Sequence, residues 1–199
     1  MNAPDAPDAN TLAGLAARIY EENQIKLLEY LDWYRDDDLA ALLPTGYAVV
    51  DNYSHLVATR CIVANRFLGQ PSPLPWEAVK QFSRIFPPRP ADKPLLSRRA
   101  VVELLEVTLE RIAAGFAALD AGFGERRVFD ARYRSLSMHD KLVTQAAHET
   151  YHTGMIGGYR SVLVLRRANP NELSEFLAAH PCALSDQQES DARVYSDWS

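Results

Sequence analysis

Apolar residues recur at helical spacing along four long stretches of this chain. Between them, prolines, glycines and acidic residues interrupt the helical pattern. The pattern predicts four helices, over residues 12–34, 47–67, 98–119 and 138–167. Thr11, Ser97 and Ser137 stand directly before three of them. Ser and Thr are preferred N-caps because their hydroxyl oxygen accepts an otherwise unpaired backbone N–H.

Prolines are concentrated in the segment 70–97, between the second and third predicted helices. The segment holds seven of them, and proline lacks the backbone N–H that a helix interior needs. Only a short amphipathic helix, over residues 76–86, is expected inside it. We interpret the segment as a functional loop or cover, in which Trp76 and Phe86 either roof a pocket or anchor the loop to the core.

No strand pattern is visible, and residues 125–135 form a connector with little periodicity. The predicted fold class is therefore all-α, a four-helix bundle with a long Pro-rich crossover between helices 2 and 3. We expect one helical domain over residues 11–180, preceded by a disordered lead over residues 1–10 and followed by a flexible tail over residues 181–199. A short fifth helix is possible over residues 171–180.

Charge and cysteine content narrow the class of protein. A net charge of −5 without a long basic stripe gives no electrostatic reason to bind nucleic acid. No signal peptide is visible, and no apolar run reaches the length of about 18 residues that a membrane span needs. Cys61 and Cys182 belong to no paired cysteine motif, and this pattern fits a protein of the reducing cytoplasm. The apolar neighbours of Cys61 favour a buried side chain over a reactive thiol. The sequence predicts a cytoplasmic protein without nucleic-acid or membrane partners.

The sharpest chemical signal is the pentapeptide HETYH, residues 148–152, in the fourth predicted helix. His148 and His152 are four residues apart, so their imidazoles point from one helix face and can reach one metal ion. His55 lies in the middle of the second predicted helix, where it can face the bundle interior as a third ligand. Three imidazoles suit zinc, nickel or iron, and they leave a coordination position open, as in catalytic sites.

Three further residues carry weaker signals. Glu149 is a candidate catalytic residue if it acts as a general base on a metal-bound water; alternatively it is an outer residue, since it points about 100° away from His148. His139 lies nine residues before His148, on the opposite side of the helix, so we expect a surface or packing role for it. The same is expected of His180, near the tail.

The HExxH pattern is also the signature of zinc peptidases, which gives an alternative function. The metzincin form fails, because Met155 and Gly158 occupy the places of its glycine and its third histidine. The gluzincin form needs a downstream glutamate, and Glu172 lies 24 residues after His148 (172 − 148). Phe176 stands where those enzymes place an aspartate, and no edge strand is predicted to bind a peptide. A gluzincin-like peptidase stays open as an alternative.

Residues 147–160 resemble the HExxHxGQI helix of the DinB-like superfamily of four-helix-bundle metalloproteins. Residues 52–58 are similar to the mid-helix element in which that family carries its first metal ligand. The resemblance covers residues 11–167, including the helix order and the long crossover, and it implies His55, His148 and His152 as metal ligands. Met155 departs from the family pattern, which usually has glutamine there.

The resemblance also implies a function. The DinB-like superfamily includes thiol-cofactor-dependent transferases and isomerases, which use bacillithiol, mycothiol or glutathione, and it commonly forms homodimers. We therefore expect a metal-dependent transferase, isomerase or hydrolase that acts on a small-molecule substrate, with one divalent ion and a low-molecular-weight thiol. Despite the family name, no DNA binding is implied. A non-catalytic metal-binding or dimerisation bundle is a further alternative. Candidates for polar contacts at the site are Arg60, Asn65, Arg66, Tyr159 and Arg160.

Overall fold

The computed structural model of the protein describes residues 11–43, 46–85, 91–120, 122–130 and 134–168. Helices take up 74% of them, which confirms the expected helical class. The predicted lead (1–10), tail (181–199) and fifth helix (171–180) lie outside the described residues. The same is true of Phe86, Glu172 and His180.

In the described part of the chain, six helices and one short hairpin follow one another. The helices are α1 (Leu12–Trp33), α2 (Asp36–Ala40), α3 (Val49–Ile62), α4 (Trp76–Ser83), α5 (Arg98–Ala117) and α6 (Met138–Ala168). A π-helical turn, Val63–Phe67, continues α3, and a 3-10 turn, Phe123–Glu125, precedes the hairpin of β1 (Arg127–Asp130) and β2 (Arg134–Ser137). Helices α1, α3, α5 and α6 correspond to the four predicted helices. Three acidic residues between the first two predicted helices, Asp36–Asp38, form the first turn of α2.

The helix starts follow the local sequence. The hydroxyl oxygens of Thr11, Ser97 and Ser137 each accept the backbone N–H three residues further on, at 3.0, 3.2 and 3.1 Å respectively. The three predicted N-caps are therefore confirmed. Such a cap contributes about 1 kcal/mol, because it satisfies one of the N–H groups that lack a partner in the first helical turn.

The expectation that the chain has no strands is wrong at one place. Strands β1 and β2 pair antiparallel, and the half-buried side chains of Val128 and Leu136 stand directly opposite each other. Each strand has only four residues, which is too short for an alternating pattern to stand out from a connector. Strand β2 leads directly into α6, so the hairpin fixes where the longest helix begins.

The four long helices contact one another in a closed cycle. Helix α1 packs on α5 and α6, and α3 packs on the same two helices, while the short helix α4 covers α3. All 14 residues of α3 are buried. Polar side chains on α3 therefore need partners inside the protein, since burying an unpaired polar group costs about 1–3 kcal/mol. No helix in the described part of the chain is both long and apolar enough to cross a membrane.

Candidate metal centre

The fold brings His55, His148 and His152 together between α3 and α6. Their ligand nitrogens all lie within 4.8 Å of one another. The ring centre of His55 is 5.4 Å from that of His148 and 4.5 Å from that of His152. In the described part of the chain, these three side chains form the group of potential metal ligands that lie close enough together to hold one ion. The predicted convergence of the three histidines is thus confirmed.

Two of the imidazoles lie at hydrogen-bond distance from each other, slightly closer than two ligands of one ion. The Nε2 atoms of His148 and His152 are 2.8 Å apart. Two nitrogens bound to one zinc ion at its usual bond length are about 2.9–3.4 Å apart, so a small rotation of either ring suffices. The Nδ1 atom of His152 is buried without a hydrogen-bond partner among the described residues. An ion held by the two Nε2 atoms would not reach this Nδ1, which points from the other side of the ring; the fit to a metal comes from the donor set, because imidazole nitrogens are ligands of zinc, nickel and iron.

A backbone carbonyl selects the tautomer of His55. Its Nδ1 lies 2.8 Å from the carbonyl oxygen of Ser83, the last residue of α4. A carbonyl oxygen only accepts, so Nδ1 carries the ring proton and donates it. The lone pair is then on Nε2, which is the nitrogen available to a metal. Histidine ligands in proteins are held this way, by a hydrogen bond from the nitrogen that does not bind the metal.

The surroundings keep the buried imidazoles neutral. Burial, together with the neighbouring His148, lowers the pKa of His55 to about 3. Burial also lowers the pKa of His152 well below its ordinary value, and the other two histidines act in the same direction. Neutral imidazole is the form that binds metals, so both rings are competent ligands at neutral pH. His148 is only half-buried and lies on the side of the cluster that solvent reaches.

Glu149 belongs to a separate polar cluster. Its carboxylate accepts hydrogen bonds from Arg60: Nη2 lies 2.6 Å from Oε1, and Nε lies 3.0 Å from Oε2. Both side chains are fully buried. Nη1 of Arg60 also donates to the Gln24 side chain at 2.6 Å and to the Leu105 carbonyl at 3.1 Å. Burial raises the pKa of Glu149, and the guanidinium of Arg60 opposes that rise. Both carboxylate oxygens are thus engaged by Arg60, and the catalytic role of Glu149 stays a prediction.

Other candidate residues have structural contacts. The guanidinium of Arg66 lies 4.9 Å from the Trp76 ring centre, and that of Arg160 lies 4.6 Å from the Trp33 ring centre. Trp76 is half-buried and packs against the core, in agreement with loop anchoring. His139 packs near Phe123, with ring centres 6.4 Å apart, and is not part of the histidine cluster. Cys61 is a buried free cysteine, as expected.

Two residues next to the centre were not predicted from the sequence. Ser83 contacts His55 through its backbone carbonyl, and every residue type has that group, so the sequence does not mark the position. Lys93 is buried near Ser83, although its neighbours in the sequence are exposed. A lysine between prolines in a polar loop is ordinarily exposed to solvent, so no sequence signal singled it out.

Comparison of the chain with protein-family models, with curated proteins and with solved structures finds no match.

Proposed function

We propose that this protein is a metal-dependent enzyme whose centre is formed by His55, His148 and His152. The observation that carries the proposal is the convergence of three imidazoles from two helices that are far apart in the sequence. Their nitrogen donors fit zinc, nickel or iron. Three protein ligands leave a coordination position open, which is the arrangement of catalytic metal sites. The half-buried His148 offers the side from which a small molecule can approach.

We also propose that the chain is a bundle of the DinB-like superfamily. The order of the four long helices supports this assignment, and so does the proline-rich connection between α3 and α5. The positions of the ligands agree with it as well, because His55 lies in the middle of α3 and the histidine pair lies in the middle of α6. The homodimer and the cytoplasmic location stay predictions of the sequence.

The chemistry that fits this centre best is thiol transfer to a small electrophile. A divalent ion supplies Lewis acidity, which at neutral pH favours the deprotonated form of a thiol or water bound to it. In the proposed reaction the sulfur of a low-molecular-weight thiol forms a bond to an electrophilic carbon. The leaving group departs with its electron pair, and the thiol proton goes to solvent. A thiol has an ordinary pKa of about 8.5, so the step does not need a dedicated base from the protein.

The arrangement of Glu149 argues against the peptidase alternative. A zinc peptidase of the HExxH class uses the motif glutamate as a general base beside the metal-bound water. Here both oxygens of that carboxylate accept hydrogen bonds from Arg60 in the dry interior. Releasing Glu149 for catalysis would leave a buried guanidinium without its counter-charge, which costs about 3–5 kcal/mol.

The proposal is tested with the protein stripped of metal and reloaded in turn with Zn²⁺, Ni²⁺ or Fe²⁺. Each form receives glutathione, bacillithiol or mycothiol together with an activated alkyl halide, and the loss of free thiol is followed. We expect turnover that needs both metal and thiol and that disappears in His55→Ala. Full metal loading without turnover would favour a non-catalytic bundle. Cleavage of a peptide library, lost in Glu172→Ala, would instead favour the peptidase.

A further inference from the structure

Lys93 is a buried lysine inside the proline-rich segment. Its ammonium nitrogen lies 2.6 Å from the carbonyl oxygen of Arg84 and 3.5 Å from that of Phe82. It also lies 3.5 Å from a carboxylate oxygen of Asp51 and 5.4 Å from the ring centre of Tyr47. A lysine is rarely buried so completely unless its charge is paired and its protons find acceptors. Two carbonyl oxygens and one carboxylate oxygen supply such acceptors here.

The two carbonyls bound by Lys93 flank Ser83 on either side. Helix α4 ends at Ser83, where the last carbonyls lack the N–H partners that a continuing helix would give them. The ammonium of Lys93 takes that place, and it fixes the peptide groups before and after the Ser83 carbonyl. A second contact holds the same two stretches together, because Nε2 of Gln81 donates to the Asp92 carbonyl at 3.1 Å.

Asp51 links this cluster to the helix that carries His55. One of its oxygens accepts the backbone N–H of Ala48 at 2.9 Å, which caps the start of α3, and the other faces Lys93. Through Lys93, this carboxylate therefore connects the end of α4 to the first turn of α3. His55 stands one turn further along α3, with Nδ1 on the Ser83 carbonyl.

We propose that Lys93 is a positioning residue of the metal centre. By holding the end of α4, it keeps the Ser83 carbonyl on Nδ1 of His55 and so keeps the lone pair of Nε2 directed to the cluster. Asp51 supplies its counter-charge. This inference rests on the proposed metal centre and gives the proline-rich segment a defined part in it: the segment orients a ligand.

The direction of the effect separates positioning from simple electrostatics. Lys93→Met removes a positive charge near the centre, and on Coulombic grounds alone the affinity for a divalent cation should rise. If Lys93 acts by positioning His55, the affinity falls instead. Loss of the partner that orients a histidine ligand typically costs about 10- to 100-fold in metal affinity, and we expect the lower end, about 10-fold, because Lys93 acts through Ser83.

The test compares wild type with Lys93→Met, with Asp51→Asn and with Lys80→Met. Lys80 is an exposed lysine of α4 and serves as the matched control. The dissociation constant for Zn²⁺ is measured by chelator competition, and far-UV circular dichroism checks that each variant is folded. Long-range ¹H–¹⁵N NMR of the metal-free proteins reports which nitrogen of His55 carries the proton.

We expect Lys93→Met to bind Zn²⁺ about 10-fold more weakly, Asp51→Asn to change in the same direction and Lys80→Met to match wild type. His55 should carry its proton on Nδ1 in wild type and should shift towards the Nε2–H form in Lys93→Met. An affinity in Lys93→Met that is unchanged or raised would overturn the inference while leaving the metal centre intact. If Lys93→Met does not fold, an Asp51→Asn variant in which His55 keeps its proton on Nδ1 overturns it, because the tautomer, unlike the affinity, does not follow from the lost negative charge alone. A wild type that binds no Zn²⁺ would refute the metal centre itself, and the NMR comparison would still decide the role of Lys93.

Discussion

Replacing Arg60 by methionine leaves the carboxylate of Glu149 buried without its partner. The two side chains are fully buried and joined by short hydrogen bonds, so solvent cannot take over the role of the guanidinium. Breaking such a pair costs about 3–5 kcal/mol. The buried side-chain oxygen of Gln24 also loses its donor, which adds about 1–3 kcal/mol. A domain of this size has a total stability of about 5–15 kcal/mol, so Arg60→Met should remove a large part of it.

The loss should depend on pH in a defined direction. In Arg60→Met, burial raises the pKa of Glu149 and no guanidinium opposes the rise. The folded chain then binds a proton that the unfolded chain releases above its ordinary pKa of about 4.3. Stability therefore falls as the pH rises from there towards the raised pKa, by up to about 1.4 kcal/mol per pH unit. The defect of the variant should be larger at pH 8 than at pH 5.5.

Urea unfolding followed by circular dichroism at these two pH values measures both effects. The double variant Arg60→Met/Glu149→Leu removes both charges and should recover at least half of the lost stability, since exchanging a buried pair for apolar residues is often neutral. Arg66→Met is the control: Arg66 is exposed and stacks on Trp76, so its loss should cost below about 1 kcal/mol. A cost below about 1 kcal/mol for Arg60→Met, or one equal at both pH values, would show that the pair is not buried and coupled as described.

Two further predictions concern the packing of α6 and its salt bridge to α2. A methyl group at Gly157 would lie 2.9 Å from the Tyr30 ring, so Gly157→Ala should lower the free energy of unfolding by about 1–3 kcal/mol. A methyl group at Gly158 would meet open space, so Gly158→Ala should raise the free energy of unfolding by about 0.5–1 kcal/mol in the same urea titrations. Burial alone would raise the pKa of Asp38, but its arginine neighbours, Arg167 foremost, lower it. A carboxyl group with a lowered pKa stabilises the folded state at pH values above its pKa in the unfolded chain, and this stabilisation is lost as the pH falls. Arg167→Met should therefore lower the melting temperature slightly at pH 7 and leave it unchanged at pH 3. An equal shift of the melting temperature at both pH values would contradict this.

The features that the sequence predicted well are those set by neighbours along the chain. Helical periodicity and the hydroxyl caps at Thr11, Ser97 and Ser137 depend on three or four consecutive residues, and the structure agrees with them. The pairing of His148 with His152 is equally local, because a spacing of four residues on a helix fixes their common face. The position of His55 depends also on which helices meet, and the contact of α3 with α6 confirms the expected convergence.

The features that the sequence did not predict depend on contacts between distant segments. Arg60 was expected as a polar contact at the site, yet α3 is buried on all sides, so its guanidinium takes its partner from α6 instead of solvent. Ser83 uses a backbone carbonyl, and Lys93 is buried because the proline-rich segment brings it against Asp51 of α3. None of these contacts leaves a pattern that can be recognised in a single sequence.

The measurement that tests the central claim most directly is the metal content of the purified protein. It compares wild type with His55→Ala and with His139→Ala, whose histidine lies on the same helix as the pair but outside the cluster. We predict about one divalent ion per chain in wild type and in His139→Ala, and almost none in His55→Ala, because two imidazoles alone make a weak site. A full complement of metal in His55→Ala would contradict the three-histidine centre, and so would a wild type that takes up no metal from Zn²⁺, Ni²⁺ or Fe²⁺.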